Sequence, residues 1–340
     1  MKVTLVSKTL KLKHAWTLAR GSTTSKDYLY FKVEHQGFTG WGEAAHNARY
    51  GESPESVKTV LEEAKTILEA DPEAVHRWQE WLPSLPQAQA AARAAVDIAC
   101  RDWVTQASST PFLPAAPDRE LVTSFSVGID APERILAKVS EASAYHVLKI
   151  KLGTKQDQDI ISAVRKATDK PLRVDANEGW RDREEALQMI DWLAARGVEL
   201  IEQPMPTGQL ENISWLRERS PLPLVADEDI CGIEDINRLA GVYDGINVKL
   251  MKAGGATPAA AMLEKARTQG LKTMLGCMIE SSIGITAASF LAPKADWIDL
   301  DGNLLISNDP FIGTTCQEGK LVLPTRRLGL GVEERPDALP

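Results

Sequence analysis

Residues 146–152 read His146-Val147-Leu148-Lys149-Ile150-Lys151-Leu152. Side chains alternate between the two faces of a strand, so Leu148, Ile150 and Leu152 share one face while Lys149 and Lys151 share the other. Residues 156–168 then carry a helical period, and 172–177 form a second apolar run. The order strand, crossover helix, strand is the unit of a parallel sheet. Outward from this unit the same texture persists. Apolar runs stand at 121–129, 146–152, 172–177, 199–204, 222–228, 245–251, 272–278 and 295–302, with segments of crossover-helix length such as 132–144, 183–196 and 258–269 between most of them. Eight such units predict an α/β chain with a (β/α)8-type barrel.

The chain has 340 residues, more than the roughly 250 a barrel needs, and the surplus lies at its ends. The first 45 or so residues read as an antiparallel meander, with strand-like stretches at 3–12 and 28–34 and a turn at Gln36-Gly37. The polar stretches 19–25 and 47–53 have the composition of mobile loops. Ser53-Pro54 is an N-cap followed by proline at the first helical position, and a helical pattern continues with breaks to about residue 106. The expected organisation is an α+β capping domain over 1–118, a barrel over 119–302, and a turn-rich segment over 303–340 that returns to the cap.

The composition is that of an ordinary globular protein, with 44% hydrophobic and 25% charged residues. A net charge of -8 without a Lys/Arg cluster excludes a nucleic-acid partner. Lys2, Lys8, Lys11 and Lys13 interrupt the N-terminus, which leaves no apolar core for a signal peptide. No run approaches the roughly 18 apolar residues of a membrane span. The four cysteines, Cys100, Cys231, Cys277 and Cys316, form no CxxC pair, so neither a zinc site nor a disulfide framework is expected. A cytoplasmic location and a homo-oligomer are the expectations.

Function in a parallel barrel gathers at the C-terminal ends of the strands. The third, fourth and fifth runs end Val174-Asp175-Ala176-Asn177, Ile201-Glu202-Gln203-Pro204 and Val225-Ala226-Asp227-Glu228. One such carboxylate is usually a solvated loop residue. Three in phase on neighbouring strands make an oxygen site for a hard divalent cation, and magnesium is the expected occupant. Because the outer face of a barrel strand packs against helices, Lys149 and Lys151 should point inward, where only carboxylates or a bound anion make their burial tolerable. Lys249, in Asn247-Val248-Lys249-Leu250, is in phase to point inward from the sixth strand. Lys252 lies past that strand, as a surface residue or a support. The eighth run ends Ile298-Asp299-Leu300-Asp301-Gly302. Two inward carboxylates so close need a cation beside them, and a substrate ammonium is a natural partner.

With these residues in place, the chain resembles the enolase superfamily, muconate-lactonising subgroup. KxK on the second strand, Asp/Glu/Asp at the ends of strands three to five and Lys on the sixth carry the likeness. Further stretches are similar to dipeptide epimerases, those acting on L-Ala-D/L-Glu in particular: Ala19-Arg20-Gly21-Ser22, Arg49-Tyr50-Gly51-Glu52-Ser53, Asp175-Ala176-Asn177-Glu178, Leu275-Gly276-Cys277-Met278 and Asp299-Leu300-Asp301-Gly302. The resemblance implies a modified, enolase-like barrel with one Mg2+ ion per active site on Asp175, Glu202 and Asp227. It implies Lys151 and Lys249 as the acid/base pair on opposite faces of a dipeptide, with Lys149 assisting at its carboxylate. It implies that Asp299 and Asp301 hold the α-ammonium, that Arg20 faces an acidic side chain, and that Tyr50, Cys277 and Met278 surround the substrate.

Cycloisomerisation, dehydration to o-succinylbenzoate and N-acylamino acid racemisation start from the same enolate. Their substrates carry no free ammonium, so the Asp299/Asp301 pair weighs against them. A non-catalytic, metal-dependent peptide-binding barrel remains the alternative of another class, and it predicts no exchange of substrate α-hydrogen with solvent. The five histidines form no ligand spacing and read as surface or packing residues. Gly254-Gly255 reads as a tight strand-to-helix turn.

Overall fold

A computed structural model describes residues 1–18, 21–113, 119–324 and 328–339. Three antiparallel strands open the chain: β1 (Lys2–Leu18), β2 (Gly21–His35) and β3 (Phe38–Ala44). Two helices cover one face of this sheet, α1 (Pro54–Ala70) and α2 (Ala90–Ala107). Ser53 caps α1 as its sequence predicts, accepting from the Ser56 N–H while the Ser56 hydroxyl binds back to the Ser53 N–H at 2.9 Å. Val3, Phe31 and Val33 meet Val57, Leu61, Ala92 and Ala99 in a core of their own. The closest contact is backbone to backbone. A Cβ on Gly42 would stand 1.8 Å from the Ala95 carbonyl oxygen, so only glycine lets α2 lie on β3. Gly42→Ala is expected to lower unfolding stability by about 1–3 kcal/mol in denaturant titrations, because neither backbone can yield cheaply.

The hairpin formed by β1 and β2 corrects one expectation. Residues 21–25 are strand rather than loop: Gly21, Ser22 and Thr23 pair with Leu18, Thr17 and Trp16, and Ser25 pairs with Lys11. β-Branched and hydroxyl side chains favour that extension, and the Thr17 and Ser22 hydroxyls meet across it at 3.0 Å. The register slips between Lys11 and Trp16, leaving 12–15 outside the ladder.

Eight parallel strands follow in sequential order: β4 (Ser124–Val127), β5 (Val147–Lys151), β6 (Leu172–Asp175), β7 (Val198–Glu202), β8 (Leu224–Ala226), β9 (Gly245–Lys249), β10 (Lys272–Gly276) and β11 (Trp297–Asp299). Each of the eight apolar runs coincides with one of them, β7 starting one residue before its run. A bridge between Thr123 and Ile298 brings the last strand back to the first. Alternation sorts the side chains as strand geometry requires. Leu148, Ile150, Val174 and Val248 are fully buried in the main core, whereas Leu200, Val225 and Met274 form a small apolar plug of their own with Trp297 against it.

Crossover helices are α3 (Pro132–Glu141), α4 (Asp157–Ala167), α5 (Arg183–Ala194), α6 (Leu210–Arg217), the single turn α7 (Ile236–Leu239), α8 (Ala256–Thr268) and α9 (Ser282–Ser289). The eight strands close the expected barrel, and the modification lies in its last unit. Among the described residues no α-helix follows β11. The chain makes a short turn at Gly302–Leu304 and runs to the hairpin, where Ile306 bridges Leu12 and the Ser307 N–H donates to the Lys11 carbonyl at 2.8 Å. Phe311 then packs edge-on to Trp41, with ring centroids 5.0 Å apart. The sixth strand also ends earlier than its apolar run. Leu250–Ala253 is a helical turn, closed by Gly254 and Gly255 at φ 90° and 127°, as the paired glycines predict. No helix among the described residues is long and apolar enough to cross a membrane, and all four cysteines are free thiols.

Candidate active site

Strand register sets the site. Lys151 pairs with Asp175 and Asp175 pairs with Glu202, so three charged side chains rise at one level of the barrel from β5, β6 and β7. On the far side Lys249 pairs with Gly276, and Gly276 with Asp299. A Cβ at Gly276 would press to 2.4 Å from Asn247 Oδ1. Its absence leaves room for Asn247, whose Nδ2 donates to Glu202 Oε1 at 2.8 Å.

The inward lysines are buried as strand phase predicts, at 2% exposure for Lys149, 8% for Lys151 and 7% for Lys249. Lys149 Nζ lies 2.7 Å from Glu202, 2.7 Å from Asp299 and 3.4 Å from Asp175. Lys151 Nζ donates to Asp175 Oδ2 at 2.5 Å, and Lys249 Nζ to Asp227 Oδ2 at 2.8 Å. Lys252, which the sequence left between surface and support, is buried. It donates to the Asp227 carboxylate and to the Asp227 carbonyl, each at 2.6 Å.

Asp175, Glu202 and Asp227 each bring an oxygen within 4.8 Å of the other two. Burial, with the Asp175 charge next, pushes Glu202 up to about 8. Burial works the same way on Asp227, but Lys249 and Lys252 outweigh it and hold that carboxyl well below the usual range. Burial would depress Lys149 and Lys249, and the carboxylates reverse the sign. Asp299 and Glu202 hold Lys149 well above an ordinary lysine, while Asp227 raises Lys249. Crowded, buried, all-oxygen donors of this kind fit a hard divalent cation, which would relieve their mutual repulsion.

The two aspartates after β11 differ in their partners. Asp299 accepts from Lys149 and, at 2.6 Å, from the Ser124 hydroxyl. Burial opposes its ionisation, but Lys149 prevails and brings it down to about 2. Asp301 accepts from the Ser126 N–H at 2.6 Å and has no ion pair among the described residues. Burial, then the neighbouring Asp299, pushes it up to about 6. Thus one of the two carboxylates already has a cation of the protein's own, and the other does not.

These groups surround a single cavity of about 290 Å³, near the lower end of small-ligand sites at about 300 Å³. Tyr50, Lys149, Lys151, Asp227, Lys249, Cys277, Met278, Asp299 and Asp301, all expected from the sequence, line it. Asp175 and Glu202 are wholly buried and reach it through their ion pairs with the lysines. Arg20 lies outside the described residues. The wall also includes residues that the sequence does not single out, among them Trp16, Lys26, His46, Ser126 and Asn177. Trp16 and Lys26 belong to the hairpin, whose strand over 21–25 has the composition of a loop. Trp16 places its ring centroid 5.8 Å from Lys151 Nζ. His46, by sequence one of the surface or packing histidines, stands edge-on to Tyr28 at 5.6 Å, in the cavity wall. Ser126 was legible in principle, because Ser124-Phe125-Ser126 repeats the alternation that exposed the lysines.

Beside the cavity, Glu43 of β3 and Glu280 after β10 are buried carboxyls at the junction of cap and barrel. Glu43 accepts from the Ser281 N–H and hydroxyl and the Gly284 N–H, and Glu280 accepts from the Met278 N–H at 2.7 Å. Burial raises Glu43 to about 7 and Glu280 to about 8, Glu280 also feeling the charge of Glu43. A carboxyl raised on folding binds more protons in the native than in the unfolded chain. Its contribution to stability is therefore complete below about pH 4.5 and is lost as pH rises through the native value. Glu280→Gln keeps the acceptor for Met278 and cannot ionise, so its melting temperature minus that of the wild type is expected to rise between pH 5 and 8. A difference that stays flat or falls over that range contradicts the assignment.

Comparison with known proteins follows the same lines. The sequence matches the enolase C-terminal domain-like family over residues 133–338 and the mandelate racemase / muconate lactonizing enzyme N-terminal domain family over residues 1–113. It is 41% identical to the L-Ala-D/L-Glu epimerase of Bacteroides thetaiotaomicron, over 95% of this chain and 85% of that one. It is 40% identical to the L-Ala-D/L-amino acid epimerase of Pedosphaera parvula, over 98% and 99%. Among solved structures, a substrate-liganded L-Ala-D/L-Glu epimerase from Bacillus subtilis superposes with a TM-score of 0.89 at 28% identity, covering 98% of both chains. A dipeptide epimerase from Enterococcus faecalis, complexed with Mg and L-Leu-L-Tyr, gives 0.89 at 31% identity, over 98% of this chain and 99% of that one.

Proposed function

The chain belongs to the enolase superfamily, in its mandelate racemase / muconate lactonizing enzyme division, and from that premise we propose that it is an isomerase, a dipeptide epimerase that inverts the α-carbon of the C-terminal residue. The observation that carries the reading is the placing of Lys151 and Lys249 on β5 and β9, opposite strands of the barrel, in the wall of one cavity that the Asp299/Asp301 pair also lines.

The α-proton of a carboxylate is very weakly acidic, so its removal needs pre-placed positive charge for the electron pair that spreads into the carboxylate group. Asp175, Glu202 and Asp227 would hold one magnesium ion, which supplies Lewis-acid stabilisation of that charge when bound. Lys149 adds its own ammonium on the same side. One lysine of the pair takes the proton from its face, and the other delivers a proton to the opposite face, which inverts the centre. The accepting lysine must be neutral. A divalent cation held by Asp227 would share that charge, leave Lys249 less firmly protonated and so bring it nearer the range of a usable base. Asp301, raised and without an ion pair, is the acceptor for the dipeptide's ammonium, with Asp299 behind it.

The sources of preference for an acidic residue are Arg20 and, from the cavity wall, Lys26. L-Ala-L-Glu incubated with the protein and Mg2+ in deuterated water is expected to gain one mass unit and to yield the other epimer. Absence of exchange across a dipeptide panel would favour the binding-only barrel. Lys26→Met is expected to lower kcat/KM for Ala-Glu by about tenfold relative to Ala-Leu, the scale of losing one partly exposed charge contact. An unchanged ratio removes Lys26 from specificity.

A further inference from the structure

A second cavity, of about 230 Å³, adjoins the first and shares Trp16, Ser126 and Leu305 with it. Its roof comes from the segment where β1 slips out of register with β2 between Lys11 and Trp16. Freed from that ladder, Leu12 bridges Ile306 and the Lys13 N–H donates to the Leu305 carbonyl at 2.9 Å. The bulge is thereby held over the end of β4. Below it Phe125 and Tyr145 stack with ring centroids 4.4 Å apart and an interplanar angle of 24°. Phe125 sits between Ser124 and Ser126, so alternation turns it away from the barrel interior to which its neighbours point. Gly128 brings the strand end close to the hairpin, since a Cβ there would be 3.3 Å from the Thr17 carbonyl oxygen. At the outer rim His14 meets Glu141 at 2.8 Å.

We propose that this second cavity receives the side chain of the dipeptide's N-terminal residue, and that its aromatic floor selects large apolar side chains there. The inference rests on the dipeptide-epimerase reading above. Ser126 lies in the wall of both spaces, and its N–H donates to Asp301, the acceptor for the substrate ammonium. The carbon that bears the ammonium also bears the N-terminal side chain, so a side chain anchored at Asp301 starts beside the shared wall. Trp16 and Leu305 flank the same wall, and a side chain that passed them would reach Phe125 and Tyr145. A flat apolar group has stacking partners on that floor, whereas alanine reaches none of it.

The test compares kcat/KM for L-Phe-L-Glu, L-Leu-L-Glu and L-Ala-L-Glu, with solvent-deuterium exchange as the readout. The wild type is expected to process the Phe-first and Leu-first dipeptides at least as well as the Ala-first one. Phe125→Ala and, separately, Tyr145→Ala are expected to lower the Phe-first to Ala-first ratio by about tenfold, the scale of a lost apolar pocket contact. The Ala-first reaction of each variant reports on folding, because the ratio is taken within one protein. A ratio unaltered in both variants overturns the proposal, as does a wild type that rejects Phe-first substrates and accepts them once Phe125 is removed. If no dipeptide exchanges at all, the epimerase reading itself has failed, a result distinct from exchange without N-terminal preference.

Discussion

Lys151→Ala and Lys249→Ala are each expected to lose epimerisation by a factor on the order of 10³, within the range a positioned acid or base contributes. The more diagnostic result is asymmetric exchange. A lysine that remains can still remove a proton from its own face and return a deuteron to the same face. Each single variant should therefore exchange the α-hydrogen of one epimer in deuterated water and leave the other epimer unlabelled, with the preferred epimer reversed between the two. Mass spectrometry and NMR of each pure epimer read this out. Full epimerisation by both variants removes the two-lysine mechanism. Structural collapse is separable, because Lys151 and Lys249 each contact a carboxylate that keeps a second lysine, Lys149 for Asp175 and Lys252 for Asp227. The double variant, lacking both, should exchange neither epimer.

The legibility of this site follows from strand geometry. A barrel strand has only two faces, one against helices and one inward, so an alternation such as Leu148-Lys149-Ile150-Lys151 assigns its lysines without knowledge of the partner strands. The carboxylates at the ends of β6, β7 and β8 were legible for the same reason. Two kinds of feature were not. The arrangement of the hairpin depends on where β1 and β2 slip in register, and nothing in 11–25 distinguishes a paired arm from a loop, because serine, threonine and glycine serve in both. With the arm read as a loop, Trp16 and Lys26 had no predicted place. The second kind is the apportioning of charge. From sequence, Asp299 and Asp301 are an equivalent pair awaiting a substrate cation, whereas side-chain reach gives Lys149 to Asp299 and, to Asp301, Ser126 but no ion pair among the described residues. The segment after β11, which forms no α-helix among the described residues, belongs to neither kind. Its backbone is satisfied by the hairpin at Lys11, Leu12 and Lys13, and such a long-range contact leaves no local pattern.

Loss of the divalent cation is expected to have an effect as large as loss of a lysine, and its sign on stability separates a metal site from an acidic cluster held by lysines alone. Asp175, Glu202 and Asp227 are together with Asp299 and Asp301 five buried carboxyls, facing the four ammonium groups of Lys149, Lys151, Lys249 and Lys252. Glu202 is the one least reconciled to its charge, at about 8. A ligand that binds only the folded protein stabilises it by about 2.7 kcal/mol when present at a hundred times its dissociation constant. Mg2+ should therefore raise the melting temperature of the wild type, and a chelator should reverse both that rise and epimerisation. In Glu202→Gln one ligand charge is gone while Asn247 and Lys149 retain a polar neighbour. Its melting temperature without metal should match or exceed that of the wild type, since a repelled carboxyl has been removed. Its calorimetric Mg2+ binding should weaken by at least tenfold, and its kcat should fall by a factor on the order of 10³, as for loss of a principal electrostatic contact in the transition state. A metal-free variant less stable than the metal-free wild type, with unaltered Mg2+ binding, would mean that Glu202 serves the lysine network and not the cation.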